Sequence, residues 1–258
     1  MTAAALALRS FEFWFAQYRR VWRGTVVTSV VNPVFYLGAL GVGLGTLVNQ
    51  SSAPPGGVSY AHFVAPGLLA AAAMQIGATE ASWPVVGSFK WTRTYFAQAA
   101  TPLGPGSILV GHQLFIATRL VTSGLIYAIV IVAFGGFHSW LGVFALPAAV
   151  LTGMAFAGPF AAYAAHIDQD NAFVAINRFL IMPMFLFSGT FFPVARLPRP
   201  LELVAYATPL WHGVDLCRGL TLGDIGAPLA VGHVVYLAAL GVGGLAVARI
   251  TYSRRLRK

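Results

Sequence analysis

Long apolar stretches, separated by short polar or proline- and glycine-rich connections, dominate the sequence. The hydrocarbon core of a bilayer is about 30 Å thick, and roughly 20 mostly apolar helical residues cross it. Six stretches have this length: 26–48, 63–86, 108–134, 141–165, 172–192 and 228–250. The pattern therefore predicts an all-α integral membrane protein with six transmembrane helices, in a single domain that covers residues 1–258.

The first 23 residues have a helical pattern but are too polar to cross a membrane. Apolar side chains recur every three or four residues and so share one helical face, at Leu8, Phe11, Phe15, Tyr18 and Trp22. This spacing predicts an amphipathic helix over residues 1–23 that lies flat on the membrane surface and turns into the first span at Gly24. Two interpretations stay open: a lipid anchor only, or an anchor that also contacts a cytoplasmic partner.

The loop 87–107, between the second and third spans, is longer than a simple turn and combines basic with aromatic residues. Its candidate functional residues are Phe89, Lys90, Trp91, Arg93, Tyr95 and Phe96. Tryptophan and tyrosine at such a place can be interfacial anchors. The alternative is a helix parallel to the membrane, at about residues 89–101, on which a soluble subunit docks.

Residues 193–220 follow the fifth span and are rich in proline. Pro193, Pro198 and Pro200 prevent the span from continuing, and the apolar stretch that follows is interrupted at Pro209. Since non-helical backbone at membrane depth must be buried in protein or face water, we expect an external re-entrant helical hairpin here, with its charged residues at wet ends or paired locally. Its candidate residues are Phe191, Phe192, Pro193, Pro209, Trp211, His212, Asp215 and Arg218. Phe191, Phe192 and Trp211 could contact the cargo or simply pack the hairpin.

Charge placement gives the orientation. Only 9% of the residues are charged and 58% are hydrophobic, which excludes a soluble domain, and the net charge of +9 sits mostly at helix ends. With a cytoplasmic N-terminus, most of the basic residues fall in the cytoplasmic segments. The positive-inside rule therefore predicts that both termini are cytoplasmic. Anionic lipid explains the basic residues better than nucleic acid does, so no nucleic-acid partner is expected.

Three charged residues fall within predicted spans: Glu80, Arg119 and Arg178. In the predicted topology all three lie in the inner half of the bilayer, where charged side chains usually face the bundle or a wet cavity. We expect Glu80 to pair with Arg119 or Arg178 near the cytoplasmic entrance of a transport path. The alternative is that each arginine extends separately to the inner headgroups.

Catalytic and cofactor motifs are missing from the sequence. There is no G-x-x-x-x-G-K-[ST] loop for ATP, no metal-ligand spacing among the six histidines and no nucleophile elbow. We therefore expect a chain that is not an enzyme, with no catalytic residue, no metal and no bound cofactor.

The segment FSGTFFPVARLPRPLELVAYATPLWHGVDLCRGL resembles the signature region of the type-2 ABC exporter permeases. The nearest resemblance is to the exporters of nodulation-factor lipo-oligosaccharide and to antibiotic-resistance exporters. The matching elements are Phe187-Ser188-Gly189, Phe192-Pro193, Leu197-Pro198, Pro209-Leu210, His212, Asp215 and Arg218-Gly219. The order of an N-terminal amphipathic helix, six spans, a first cytoplasmic loop and a hairpin before the last span is similar along nearly the whole chain.

This resemblance implies a permease that pairs with a second permease, identical or related, and with two copies of a soluble ATP-binding-cassette ATPase. ATP and magnesium would bind on the ATPase, and the loop 87–107 would carry the coupling helix. The implied function is export of an amphiphilic drug, lipid or lipid-linked oligosaccharide across the plasma membrane of a prokaryote. The sequence shows no outer domain and no row of aromatic residues for sugar stacking, which favours a hydrophobic drug or a lipid. A secondary transporter and an integral-membrane lipid-modifying enzyme are the alternatives, although repeated broken helices and converging catalytic side chains are not seen in the sequence. A structural scaffold is a further alternative that the sequence leaves open.

Overall fold

The computed structural model describes residues 2–49, 57–136, 138–167 and 171–257, and these residues form helices and no strands. The α-helices are α1 (Ala3–Tyr36), α2 (Gly45–Asn49), α3 (Tyr60–Glu80), α4 (Trp83–Lys90), α5 (Thr94–Ala99), α6 (Pro105–Ala133), α7 (Ala145–Ala164), α8 (Asn171–Ile176), α9 (Met182–Phe187), α10 (Arg199–Tyr206), α11 (Pro209–Leu222) and α12 (Ala227–Leu256). π-Helical segments join α1 to α2 (Leu37–Leu44) and α8 to α9 (Asn177–Ile181), and 3-10 turns precede α7 (Trp140–Phe144) and α10 (Val194–Arg196). The predicted all-α class is confirmed.

Five helical segments of the described chain are long and apolar enough to cross a membrane: Ala3–Gly41, Tyr60–Lys90, Pro105–Ala133, Trp140–Ala164 and Ala227–Leu256. They overlap five of the six predicted spans, and the first of them also includes the predicted interfacial helix. The remaining one, predicted at 172–192, is a shorter apolar segment, Ala172–Phe187. Its helix ends at Phe187 rather than at 192, because a non-helical turn begins at Ser188. The chain is thus a multi-pass membrane protein.

Side-chain contacts show which helices meet at each end of the bundle. At the α5 end, the Tyr95 ring lies 6.2 Å from Trp14 of α1 and 5.4 Å from Tyr252 of α12, so the first and last helices meet there. At the α10 end, the Tyr60 hydroxyl donates to the Phe191 carbonyl over 3.1 Å, and the Tyr236 hydroxyl donates to the Ala207 carbonyl over 2.7 Å.

The short segment α8–α9 connects these two ends. Near its start, the Phe173 ring lies 5.9 Å from Trp83, the first residue of α4. Just after its last residue, the hydroxyls of Ser188 and Thr208 are 2.9 Å apart, next to α11 at the α10 end. The segment therefore runs the length of the bundle, although it is too short and too interrupted to qualify as a spanning helix by itself.

Helix α3 is the centre of the bundle, with α7, α11 and α6 packed around it. In the most apolar part of α3–α4, 72% of the residues are buried, against 17% in the first long segment and 22% in α12. Close approach depends on glycine: a Cβ on Gly77 of α3 would lie 2.1 Å from the Gly153 carbonyl oxygen of α7. Small residues of this kind let membrane helices pack by van der Waals contact.

Helix α1 continues through Gly24 without a break. The sequence predicted an interfacial helix and a separate span here, with a turn between them, but the structure has one helix. Any change of direction at Gly24 occurs inside a continuous helix and not at a break. Ser10 and Trp14 are buried on the side that packs against α6, and Gly111 of α6 permits this contact, since a Cβ there would meet Ser10. Phe15 and Trp22, from the predicted apolar face, are exposed.

Candidate functional site

Glu80, at the end of α3, and Arg119, in the middle of α6, form an ion pair with Nη2 and Oε1 3.2 Å apart. The Arg119 side chain is 13% exposed and that of Glu80 is 20% exposed. Arg119 is also held by α1: its Nη1 donates to the Thr25 hydroxyl over 3.1 Å, and its guanidinium lies 4.8 Å from the centre of the Tyr18 ring. Arg119 is therefore fixed inside the bundle between three helices.

Of the two predicted partners for Glu80, the structure brings only Arg119 to it. Arg178 lies on the π-helical segment between α8 and α9, where it is exposed. Among the described residues no carboxylate forms an ion pair with Arg178. The predicted cluster is thus a pair, and Arg178 is not part of it.

A cleft of about 480 Å³ opens beside this ion pair, between α1, α4 and α6. Six aromatic residues from different parts of the chain line it: Phe13, Trp14, Tyr18, Trp83, Trp91 and Phe115. Glu80 and Arg119 supply its charges, and Trp91 belongs to the segment that leads into α5. The cleft thus joins the exposed loop at the α5 end to the ion pair inside the bundle.

A second cavity of about 130 Å³ continues on the other side of Arg119, deeper in the bundle. Its walls include polar side chains of three helices: Thr28, Ser29, Asn32, Gln75 and Ser123. The hydroxyls of Ser29 and Ser123 are 3.1 Å apart across the α1–α6 contact. Arg119 lines both cavities. Together the cavities form a polar track that starts at the α5 end, is interrupted at the Glu80–Arg119 pair and ends in the middle of the bundle. Sequence reasoning missed the α1 residues of this track, yet Thr25, Thr28, Ser29 and Asn32 recur at helical spacing inside an apolar span.

The candidate coupling segment is two helices rather than one. α4 ends at Lys90 and α5 begins at Thr94, so the prediction of one helix over residues 89–101 is wrong. The interruption lies at Arg93, whose φ of 51° is in the left-handed region that residues other than glycine rarely adopt. A backbone there cannot continue a right-handed helix.

The six predicted residues of this segment divide by exposure. Lys90, Trp91, Arg93 and Phe96 are exposed and form what we call the docking surface. Phe89 and Tyr95 are buried, with 3% and 0% exposure. Only the first four can contact another protein, because the other two are inside this chain.

Tyr95 belongs to a buried aromatic cluster that attaches α5 to three other helices. Its hydroxyl lies 2.7 Å from Nδ1 of His112 in α6, and the Tyr252 hydroxyl of α12 donates to it over 3.4 Å. The Trp14 ring of α1 stacks on His112 with centroids 4.0 Å apart. Burial raises the pKa of Tyr95 well above its usual range, so this phenol stays protonated. Helix α5 is therefore packed directly against α1, α6 and α12.

At the α10 end, α10 and α11 form the two short helices that the sequence predicted for residues 193–220. Pro209 is the first residue of α11, and the Thr208 hydroxyl caps this helix by accepting from the Trp211 backbone N–H over 3.2 Å. The Phe191 ring packs on Phe185 with centroids 5.0 Å apart. Trp211 packs likewise on Tyr206, at 4.7 Å. Phe192 and Pro193 complete the turn that precedes this pair of helices.

Arg218 of α11 stabilises the non-helical turn after α9. Its Nη2 donates to the Gly189 carbonyl over 2.8 Å, and its Nε donates to the Phe63 carbonyl of α3 over 3.0 Å. The Phe63 ring lies 3.8 Å from the guanidinium carbon. The sequence predicted Arg218 at a wet end or paired locally, and the structure places its guanidinium against these backbone carbonyls. Its side chain donates to one carbonyl of the turn after α9 and to one carbonyl of α3, and so ties the turn to α3.

A chain of three side chains joins α11 to α12. Nδ1 of His212 lies 2.8 Å from Nδ1 of His233, and Nε2 of His233 lies 3.0 Å from Oδ2 of Asp215. Burial, and then the neighbouring His233, lower the pKa of His212 to about 4, so His212 is neutral at physiological pH. Sequence reasoning treated the histidines as scattered, because these two are far apart in the chain. The described residues contain no group of three or more side chains that could hold a metal ion.

Comparisons with known proteins agree with this geometry. The family profile described as "ABC-2 type transporter" matches residues 5–222. The chain is 33% identical over 253 residues to a nodulation protein J of Rhizobium leguminosarum bv. viciae, with 95% of each chain covered. Proteins of the same name from Rhizobium meliloti (strain 1021) and Bradyrhizobium diazoefficiens are 31% identical over 219 residues and 30% identical over 251 residues. These matches cover 82% and 94% of both chains, respectively.

Proposed function

Because the chain belongs to the ABC-2 type transporter family, as a membrane component and not itself an ATPase, we propose that it is the permease of an ATP-driven exporter. The observation that carries this proposal is the track through the bundle. Its outer part borders the docking surface at Trp91, and its inner part begins at the Glu80–Arg119 pair. These two adjoining cavities thus lead from the place where a motor protein can act to the interior of the bundle.

The proposed pathway starts at the cleft between α1, α4 and α6. Helices α1 and α3 enclose the polar track, but α1 is mostly exposed and packs chiefly on α6. A displacement of α1 away from α3 would therefore open the track to lipid without unpacking the core. The substrate would enter from the leaflet at the α5 end and leave beneath α10 and α11.

The motor is a soluble ATP-binding-cassette ATPase in two copies, which docks on Lys90, Trp91, Arg93 and Phe96. ATP and magnesium are bound by that subunit. Support comes from the position of these residues: they are exposed at the end of α4 and the start of α5, directly above the buried Tyr95 cluster. Movement of the docked ATPase is passed through Tyr95 to α1, α6 and α12.

We also propose that the chain crosses the membrane six times with both termini in the cytoplasm, and that the α5 end is the cytoplasmic end. The meeting of α1 and α12 at Tyr95 supports an even number of crossings. The segment α8–α9 supplies the sixth, while α10 and α11 form the external re-entrant hairpin. Exposed Leu8, Phe15 and Trp22 support an interfacial position for the first turns of α1.

A second permease, an identical or a related chain, completes the transporter. Large apolar side chains on α1 and on the α8–α9 segment have no partner within the described chain: Val27 is 58% exposed, Phe35 71% and Phe179 77%. Contiguous exposed apolar surface marks a site of interaction with lipid or with another protein. These two elements flank the opening of the track, so the second copy would close it from the side.

The substrate is an amphiphile, and among the possible classes we favour a lipid-linked oligosaccharide over a drug or a simple lipid. The cleft combines six aromatic rings with one ion pair, a lining that suits sugar rings and polar groups. Several similar proteins are named nodulation protein J, which agrees with the resemblance to lipo-oligosaccharide exporters.

Transport by the reconstituted complex tests this proposal. The chain and its ATPase are placed in liposomes that contain a fluorescent lipo-oligosaccharide, and external dithionite quenches whatever reaches the outer leaflet. We expect exposure of the label with ATP and none with a non-hydrolysable analogue. Exposure that is independent of ATP, or driven by a proton gradient alone, would contradict the proposal in favour of a scramblase or a secondary transporter.

A further inference from the structure

A groove of about 830 Å³ lies on the face of α6 opposite to Arg119, bordered by the first turns of α1 and by α7 and α12. It plays no part in the proposed pathway, because Arg119 and the groove residues Gln113 and Ala117 point to different sides of α6. Its walls are mainly apolar, formed by Leu109, Leu114, Met154, Val242 and Leu245. Val110 and Val242 on its rim are 48% and 67% exposed, so the groove opens sideways into the bilayer.

The end of the groove nearest α5 carries positive charge. Helix α6 begins here with Gly104 as its N-cap, which has no side chain to cap the first N–H groups, and the next residue is Pro105. The N–H groups of Gly106 and Ser107 therefore point out of the helix with the positive end of its dipole. Arg249 of α12 lies beside them, since a Cβ on Gly106 would be 3.9 Å from its Nε. Arg249 forms no ion pair with any described residue.

Further along the groove, a buried amide has an open hydrogen-bonding position. The Gln113 side chain is 5% exposed and its Nε2 donates to the Ala157 carbonyl over 3.5 Å. Its Oε1 has no partner and is buried. Gln113 is two turns beyond Gly106, or about 10 Å along α6. An unsatisfied buried acceptor at this depth is costly unless a bound group donates to it.

We propose that this groove binds one anionic phospholipid of the leaflet at the α5 end. The phosphate lies at Arg249 and the free N–H groups of Gly106 and Ser107. The ester region follows, at the level of Gln113. One acyl chain then extends towards the bilayer centre along Leu114 and Leu245.

The order of the groups along the groove identifies a lipid. Positive charge comes first, at the level of the helix ends, then one polar acceptor, then only apolar side chains. This is the order of phosphate, ester and acyl chain in a phospholipid. A soluble anion would leave the apolar part of the groove empty. A zwitterionic phospholipid would place its positively charged headgroup beside Arg249, which is unfavourable. The inference is independent of the exported substrate, because the groove is on the opposite face of α6 from the pathway.

Lipid binding to the purified full-length protein tests the inference. Native mass spectrometry measures binding of phosphatidylglycerol, phosphatidylcholine and glycerol 3-phosphate to the wild type, R249Q, A246W and R254Q. Arg249 lines the groove, and a tryptophan at 246 fills its apolar part. Arg254 is another exposed arginine of α12, outside the groove, so R254Q is the matched control.

We expect one tightly bound phosphatidylglycerol and weaker phosphatidylcholine. R249Q should weaken phosphatidylglycerol about fivefold, the effect typical of one basic residue at a membrane surface, and leave phosphatidylcholine unchanged. A246W should displace both lipids, and R254Q should behave as the wild type. Equal binding of the two lipids, equal loss in R254Q and R249Q, or equal retention of glycerol 3-phosphate would overturn the inference.

Discussion

Arg119 of α6 and Glu80 of α3 form an ion pair of 3.2 Å at the point where the aromatic cleft meets the deeper polar cavity. Neither residue is close to the other in the sequence, and both would be costly in a membrane without a partner. The pair therefore serves two roles in our proposal: it neutralises two buried charges, and it separates the entrance of the pathway from its interior.

Reversal of either charge should abolish transport, and reversal of both should restore it. E80R or R119E leaves two like charges in contact, which we expect to cost about 3 kcal/mol of stability and at least a tenfold loss of ATP-dependent transport. The double variant E80R/R119E regains the pair, though not the contact of Arg119 with Thr25, so recovery should be partial. The exposed pair Arg9–Glu12 provides the control, since its reversal should change little. Lack of any recovery in the double variant would argue against pairing.

The docking surface and the buried residues beneath it should respond differently to substitution. W91A and R93N remove exposed groups, and asparagine tolerates the left-handed φ of 51° at position 93. We expect both variants to fold normally and to lose at least tenfold in affinity for the ATPase. F89A removes a buried ring and should lower the free energy of unfolding by about 3–5 kcal/mol. Copurification of the ATPase and thermal unfolding in detergent distinguish the two effects. If W91A and R93N bind the ATPase normally, this surface is not the docking site.

Arg218 should be essential for the structure of the turn after α9. R218M keeps the apolar part of the side chain but removes the hydrogen bonds to the carbonyls of Gly189 and Phe63, and hydrogen bonds from a charged donor contribute about 1.5–3 kcal/mol each. The thermal midpoint should fall by several degrees. R199M is the control, because Arg199 is exposed and pairs only with Glu202 three residues away. Equal midpoints for R218M and R199M would show that the turn does not depend on Arg218.

The contact between α11 and α12 should weaken in acid. His212 is neutral in the folded protein, with a pKa lowered from 6.5 to about 4. As the pH falls from 6.5 towards 4, the unfolded state takes up a proton at His212 before the folded state does, so the folded state loses stability over this window. The thermal midpoint should therefore fall with pH in the wild type. H212F keeps a ring to stack on Tyr236 but cannot titrate, so its midpoint should fall less. Identical pH dependence in the two proteins would exclude His212 as the cause.

The sequence predicted the long helices of this protein, because a stretch of about 20 apolar residues is visible directly in the sequence. It predicted a turn at Gly24, between an interfacial helix and the first span, but a single glycine does not end a helix. It also limited the possible partners of Glu80 to Arg119 and Arg178, because all three residues were predicted to lie in the inner half of the bilayer. The choice between Arg119 and Arg178 depends on the rotation of each helix about its axis, which the packing of the whole bundle decides.

The features that the sequence could not predict involve residues brought together by tertiary packing. His212 and His233 are on separate helices, and their contact follows from the position of α11 beside α12. The aromatic residues of the cleft come from α1, α4 and α6, so no row of them is visible along the chain. The left-handed residue at Arg93 had no signal, because glycine or asparagine usually occupies such a position.

Photo-crosslinking from the docking surface shows whether an ATPase binds there. A photoreactive amino acid is placed at Trp91, at the α5 end, and separately at Trp140, which is 77% exposed near the α10 end. Both variants are expressed in the native host and irradiated, and the crosslinked products are identified by mass spectrometry. We expect position 91 to capture a soluble protein with an ATP-binding P-loop and position 140 not to capture one. Capture of no such ATPase from position 91, or equal capture from both positions, would contradict this expectation.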